Sequence, residues 1–230
     1  SIGRITRAQS YNPKTKFLPH FRMFGHVSVT RQGKHFETTE NGHLLRHICA
    51  DVDLMQAFIN LPDSRMKDVS VELGDARIMQ KLIEIGKVNA GEIRRHTTDP
   101  DYHVFKEFNI DLPEILPLDS PKLYTILEDL GLNTVAGELK EFYAKATATR
   151  PDVADTMYFR LNRIADTGYY RGICFNIYAT NLDGLRLPVA NGGYADWAQK
   201  INNHPEEICI ISGIGSELIA RYFFPLTVED

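Results

Sequence analysis

The chain has 230 residues, 43% of them hydrophobic and 24% charged, the proportions of an ordinary folded globular protein. Its net charge is −4 and its isoelectric point about 6.1, so no global electrostatic drive pulls it towards nucleic acid. No stretch approaches the roughly 18 to 20 apolar residues of a membrane span, and the opening SIGRITRAQSYNPK lacks the apolar core of a secretory signal.

Three cysteines, Cys49, Cys174 and Cys209, are odd in number and form no C-x-x-C pair. That argues against a disulfide framework or a cysteine zinc site and suits a reducing, cytoplasmic compartment. The first residue is serine, which reads as a fragment start. Arg4, Arg7, Lys14 and Lys16 could form a local basic strip or simply a solvated start.

In chain order, Phe24, Val27 and Val29 suggest a strand, with a turn around Gln32–Lys34. The pattern turns helical from Ala50, where Val52, Met55, Ala57 and Ile59 precede Pro62, so Asp51 and Asp53 read as an acidic first turn. Residues 68–73 alternate with period two and place Val69, Val71 and Leu73 on one face of a strand. Gly74-Asp75 opens a helix carrying Ile78, Leu82 and Ile85, and Gly86 ends it.

Residues 87–150 read as a helical insertion broken at Pro100, Pro113, Pro117 and Pro121. Ser120-Pro121 starts a helix with the stripe Leu123, Ile126, Leu127 and Leu130, and Val135, Leu139, Phe142 and Tyr143 repeat the pattern. Beyond 150 the periodicity changes to two. Met157, Phe159 and Leu161 alternate with Tyr158, Arg160 and Asn162, and Ile173, Phe175 and Ile177 follow. Asn181–Gly184 turns into Leu185, Leu187 and Val189 as a hairpin partner. A short strand at 208–211 then leads through Gly213 and Gly215 to a last helix. The fold predicted is α+β, a single domain over 1–230 with an antiparallel sheet flanked by helices.

Candidate chemistry is sparse. His43 and His47 have the i, i+4 spacing of metal ligands, with His26 and His35 able to join across a hairpin. Nothing in the spacing demands a metal, and none is predicted. Cys174 lies in an apolar strand and reads as an inert buried thiol. The glycine-bearing segments Asn191–Asp196 and Ser212–Glu217 are more informative, as turns where backbone could approach a ligand and a helix start could favour an anion.

Tyr169-Tyr170-Arg171-Gly172-Ile173-Cys174-Phe175, Gly192-Gly193-Tyr194-Ala195-Asp196 and Gly213-Ile-Gly-Ser-Glu217 fall in an order that resembles the class II synthetase-like core. Histidyl-tRNA synthetase and the regulatory subunit of ATP phosphoribosyltransferase share that core. Arg22–Val27, Ala50–Asp53 and Val71–Asp75 resemble earlier segments of it. The resemblance implies a class II aminoacyl-tRNA synthetase-like fold. It implies an amino-acid pocket at Tyr169, Tyr170 and Arg171, with Glu40 or Asp166 for a positive group and Gly192, Gly193, Gly213 and Gly215 near the ligand. Each residue also has a plainer reading, as sheet packing for the tyrosines and a surface ion pair for Arg171.

The sequence departs from the family where phosphate-binding arginines are expected. Leu218 follows Glu217, no arginine separates Gly193 from Tyr194, and Ser28 and Val29 occupy the second-motif position, with Arg31 as a shifted substitute. A guanidinium fork there would hold ATP phosphates. The first motif is not recognisable, and the chain ends soon after the third, which leaves no room for an anticodon-binding domain. These departures imply a non-catalytic regulatory subunit with no cofactor. Its partners would be histidine and a catalytic ATP phosphoribosyltransferase subunit, with self-association open. Two alternatives remain, a divergent synthetase core using ATP and magnesium, or a structural paralogue acting only through protein contacts.

Overall fold

Strands in which apolar and polar residues alternate can bury one face only, and the chain meets that requirement with a single sheet backed by helices. The structure, a computed structural model, describes residues 1–6, 20–97, 99, 102–165 and 168–225. Asp166, Arg7, Lys14 and Lys16 lie outside the described residues.

Eight strands build the sheet: β1 (Ile2–Thr6), β2 (His20–Arg31), β3 (Met66–Asp75), β4 (Ile115–Pro117), β5 (Met157–Arg160), β6 (Ile173–Asn181), β7 (Arg186–Tyr194) and β8 (Glu207–Ile214). Their order is β1-β2-β8-β7-β6-β3-β5-β4. Among the described residues only the β3–β5 pair is parallel. This is the predicted class, a mainly antiparallel sheet flanked by helices. The helices are α1 (Glu40–Ile59), α2 (Ala76–Glu84), α3 (Ala90–His96), α4 (Val104–Glu107), α5 (Pro121–Asp129), α6 (Asn133–Thr149), α7 (Pro151–Ala154), α8 (Trp197–Asn202) and α9 (Ser216–Phe223).

Local chemistry sets most boundaries. Asp75 caps α2 by accepting from the Arg77 amide, and Gly86 adopts φ 70° just beyond the helix end. Pro121 occupies the first turn of α5, and Gly131 at φ 73° follows its end. The predicted helical insertion is present as α3 to α6, but it also contributes β4, the edge strand beside β5.

Four expectations need correction. Helix α1 begins at Glu40, not Ala50, with Thr39 accepting from the Gly42 amide as its cap. Asn41, Gly42, His43 and His47 are weak helix formers, and burial of Leu44, Leu45 and Ile48 against the sheet overrides them. Asp51 and Asp53 are therefore mid-helix residues, Asp53 pairing with Arg150 at 2.7 Å. No hairpin joins His26 to His35: β2 pairs with β1 and β8, and a single 3-10 turn at Phe36–Thr38 leads into α1. The glycines at 192, 193 and 213 lie inside β7 and β8 rather than in turns. Gly215 alone of the four stands at a strand-to-helix step, between β8 and α9.

Helix α1 lies across β8, β7, β6 and β3. Its fixing point is His47, which is buried and hydrogen-bonded through Nε2 to Ser28 Oγ at 2.8 Å and through Nδ1 to Ser212 Oγ at 3.1 Å. A neutral imidazole meets both contacts by donating with one nitrogen and accepting with the other. The His26 ring stacks on it, centroids 3.8 Å apart. Burial and the neighbouring imidazole hold His47 down at about 3. One turn further, Asp51 is buried and pushed up to about 7, because burial outweighs its hydrogen bond with Ser212. Among the described residues, no cluster of three metal-ligating side chains occurs, and no helix is long and apolar enough to cross a membrane.

The two groups act on stability with opposite sign. The depressed His47 stabilises the fold above pH 6.5 and loses that contribution as pH falls towards 3. The raised Asp51 contributes fully below 3.8 and loses its contribution as pH rises through about 7. Asp51→Asn removes only the second limb. Urea unfolding across pH should show the variant gaining on the native chain by up to about 4 kcal/mol between pH 4 and 7. A pH-independent difference would place Asp51 in an ordinary carboxylate environment. Gly192→Ala tests the sheet itself. The new methyl would stand 2.5 Å from Phe175 Cε1 and 2.7 Å from the Ile211 carbonyl oxygen. Chemical denaturation should report a loss of about 1–3 kcal/mol.

Candidate functional site

Register separates the two faces of the sheet. Phe159, Leu73, Phe175, Gly192, Ser212 and His26 align across five neighbouring pairings and face α1. One residue along, Tyr158, Glu72, Asn176, Asn191, Gly213 and Gly25 align on the opposite, polar face. Side chains laid over glycines line this face. Arg163 covers Gly74, Tyr170 covers Gly193 and Met23 covers Gly213, each where a Cβ would collide. These glycines serve close packing, which accounts for them without a ligand.

Glu72 sits at the floor of the polar face with its side chain 2% exposed. It accepts from Arg160 Nε at 2.6 Å, from Asn176 Nδ2 at 3.2 Å and from the Tyr158 hydroxyl at 3.2 Å, with Arg163 Nη1 at 3.8 Å. A buried carboxylate survives only when its oxygens are satisfied in this way. Burial and Glu72 together push the Tyr158 phenol up to about 12 and raise that of Tyr178, so both remain neutral. Towards β8 and β2 the face becomes apolar, ending in Val27 and Val29, 60% and 58% exposed.

The predicted tyrosines and Arg171 gather at one end of this face. The Tyr170 ring is buried against Gly193. Tyr169 stands outside it, half-exposed, edge-on to both Tyr170 and Trp197 with centroids 4.9 and 5.0 Å apart. The Arg171 amide donates to the Tyr194 carbonyl, which joins the segment to β7. Its guanidinium donates to Asp196 at 2.6 Å, and Lys200 reaches the other oxygen of that carboxylate at 3.0 Å. Both cations hold Asp196 below the usual carboxylate range against its partial burial.

Glu40 is placed differently. As the first residue of α1 it belongs to the helix-covered side, at the strand ends. Its carboxylate lies 3.9 Å from where a Cβ on Gly172 would be. There Arg77 pairs with Asp75 at 2.7 Å and with Glu138 at 2.6 Å. Burial and the neighbouring Glu138 raise the Glu40 carboxyl, while Arg77 opposes them. Gly172, just before β6, thus adjoins both Glu40 and the tyrosine segment. The sequence alone does not point to the contacts of Asp196, Trp197, Glu72 and Tyr178. The sequence signal for Glu72 was its place among the alternating residues of 68–73, where a polar residue usually reads as solvent-facing.

The arginine-poor positions also have definite surroundings. Ser28 is engaged by His47 on the helix side, Val29 presents a bare side chain on the polar face, and Leu218 packs against the core. Arg31 is the last residue of β2, opposite Glu207.

No protein-family model and no curated protein matches the chain. Solved structures do. An ATP phosphoribosyltransferase regulatory subunit/histidyl-tRNA synthetase from Bacillus halodurans C superimposes with a TM-score of 0.60 at 16% identity, over 96% of this chain and 56% of that one. Histidyl-tRNA synthetase from Nostoc sp. PCC 7120 gives 0.59 at 13% identity, over 88% and 50%. The chain therefore spans about half the length of the structures it matches. At these identities the likeness establishes the fold alone, and that fold is the class II histidyl-tRNA synthetase-like fold.

Proposed function

We propose that this chain is a non-catalytic, synthetase-like regulatory subunit that binds histidine on the polar face of its sheet. Its partner in the cytoplasm would be a catalytic ATP phosphoribosyltransferase subunit. The observation that carries this reading is a pairing of retained and lost features. The corner formed by Tyr169, Tyr170 and Arg171 is fully built, whereas Val29 and Leu218 stand where phosphate-holding guanidiniums would be needed.

In this reading the ligand's carboxylate takes donors from Arg171, in exchange for part of the hold that Asp196 now has on it. The exposed Tyr169 and the edge of Trp197 offer an aromatic wall for an imidazole. Asp166, or Glu40 beside Gly172, is assigned to the ligand's positive end. Binding at this corner would bear on α8, whose Lys200 shares Asp196 with Arg171, and α8 is the natural element to carry the state of the pocket to a partner.

Calorimetric titration with histidine, then with ATP and magnesium, tests the proposal. Saturable histidine binding that Arg171→Ala weakens about tenfold or more, with no response to ATP, is the expected result. Amino-acid-dependent pyrophosphate exchange would overturn it in favour of an activating enzyme. Absence of binding to either would leave a scaffold that acts through protein contacts.

A further inference from the structure

The far end of the polar face carries a second, separate arrangement. Arg186, at the start of β7, lays its side chain across β6 and β3 and touches β5. Its guanidinium carbon lies 4.1 Å over the Tyr178 ring. Its Nη2 donates to Ser70 Oγ at 2.9 Å and to the Tyr158 hydroxyl at 2.8 Å. The Tyr158 hydroxyl in turn donates to Glu72. Four strands therefore hold one guanidinium at the surface.

Its partners set it apart from the five arginines that hold carboxylates. Arg65, Arg77, Arg150, Arg160 and Arg171 each pair with a carboxylate at 2.6–2.7 Å. Among the described residues no carboxylate pairs with Arg186, which is exposed and held only by neutral hydroxyls and a ring face. Glu72, the nearest carboxylate in the hydrogen-bond chain, is already taken by Arg160, Asn176 and Tyr158. A guanidinium carries five donors in a planar fork, and among the described residues only Nη2 is used. Ordering a long side chain costs rotamer entropy, and here that cost is met without any ion pair. What the fork still offers is the planar, two-point geometry that carboxylate and phosphate oxygens match.

We propose that Arg186, with Ser70, Tyr158 and Tyr178, forms an oxyanion subsite that takes a carboxylate or phosphate group of a small molecule. It is distinct from the Tyr169–Arg171 corner. Arg186 pairs with Thr180, seven residues along β6 from Ile173, which puts the two about 24 Å apart along the strand. An anion at Arg186 would exchange solvent for a pre-ordered fork. The stacked Tyr178 keeps the guanidinium from collapsing onto the sheet.

Titration of the full chain with inorganic phosphate and, separately, with citrate, at constant ionic strength and followed by calorimetry, tests this subsite. Saturable binding of either anion, weakened at least tenfold in Arg186→Gln and only severalfold in Arg186→Lys, is expected. The anion that binds identifies the chemistry. Histidine titrated in parallel should be unaffected by Arg186→Gln, so the two sites fail or stand separately. If Arg186→Gln does not fold by circular dichroism, Arg186→Lys and Tyr178→Leu carry the comparison. Equal affinities in native and variant chains, or no saturable binding of either anion, would overturn the proposal.

Discussion

Every feature of the polar face depends on the register in which β6 pairs with β3 on one side and β7 on the other. Because side chains alternate, a one-residue slip would turn Asn176 and Tyr178 towards α1 and Phe175 and Ile177 towards water. The apolar set forms one continuous core with α1, whose Leu44, Ile48, Val52 and Met55 recur at helical spacing. Burial of that core fixes the register, and the register then brings Glu72 beside Tyr158 and Asn176. The polar network is a consequence of apolar packing on the other side of the same strands.

Glycine does complementary work on that face. Gly74, Gly193 and Gly213 each leave room for a large side chain to lie flat over the backbone. A sheet that faced water directly would expose Glu72, while one roofed by a helix would have no surface to offer a ligand. Side chains lying over glycines give a thin cover, enough to exclude water from Glu72 and leave Tyr169 and Arg186 accessible.

The sequence was legible where one periodicity dominated. Residues 68–73, 173–177 and the hairpin at 181–184 read correctly because β-branched and aromatic residues alternated cleanly and a turn signal followed. Helix α1 was half hidden, since its first turns hold Asn41, Gly42, His43 and His47, whose local preference is not helical. The pair Gly192-Gly193 read as a turn because glycine is common to turns and to strands under close contact, and only the Phe175 and Tyr170 rings decide between them. Of the candidate site, the clustering of Tyr169, Tyr170 and Arg171 could be read from adjacency. The Asp196 partnership, the buried role of Glu72 and the reach of Arg186 rest on contacts between residues 25 to 116 positions apart, which no local pattern encodes.

The strand order has a consequence for how the protein is made. β8 lies between β2 and β7, so Phe24 finds its partner Ile214 only after roughly 190 further residues have been added. Until then a chain emerging from the ribosome holds two separate sheet pieces, β1-β2 and β7-β6-β3-β5-β4, each with a bare inner edge. His47 likewise lacks Ser212, and α1 has no complete surface to lie on. Closure comes late, in one long-range step of high contact order. During synthesis the open edges of β2 and β7 are therefore the surfaces that a chaperone would need to shield.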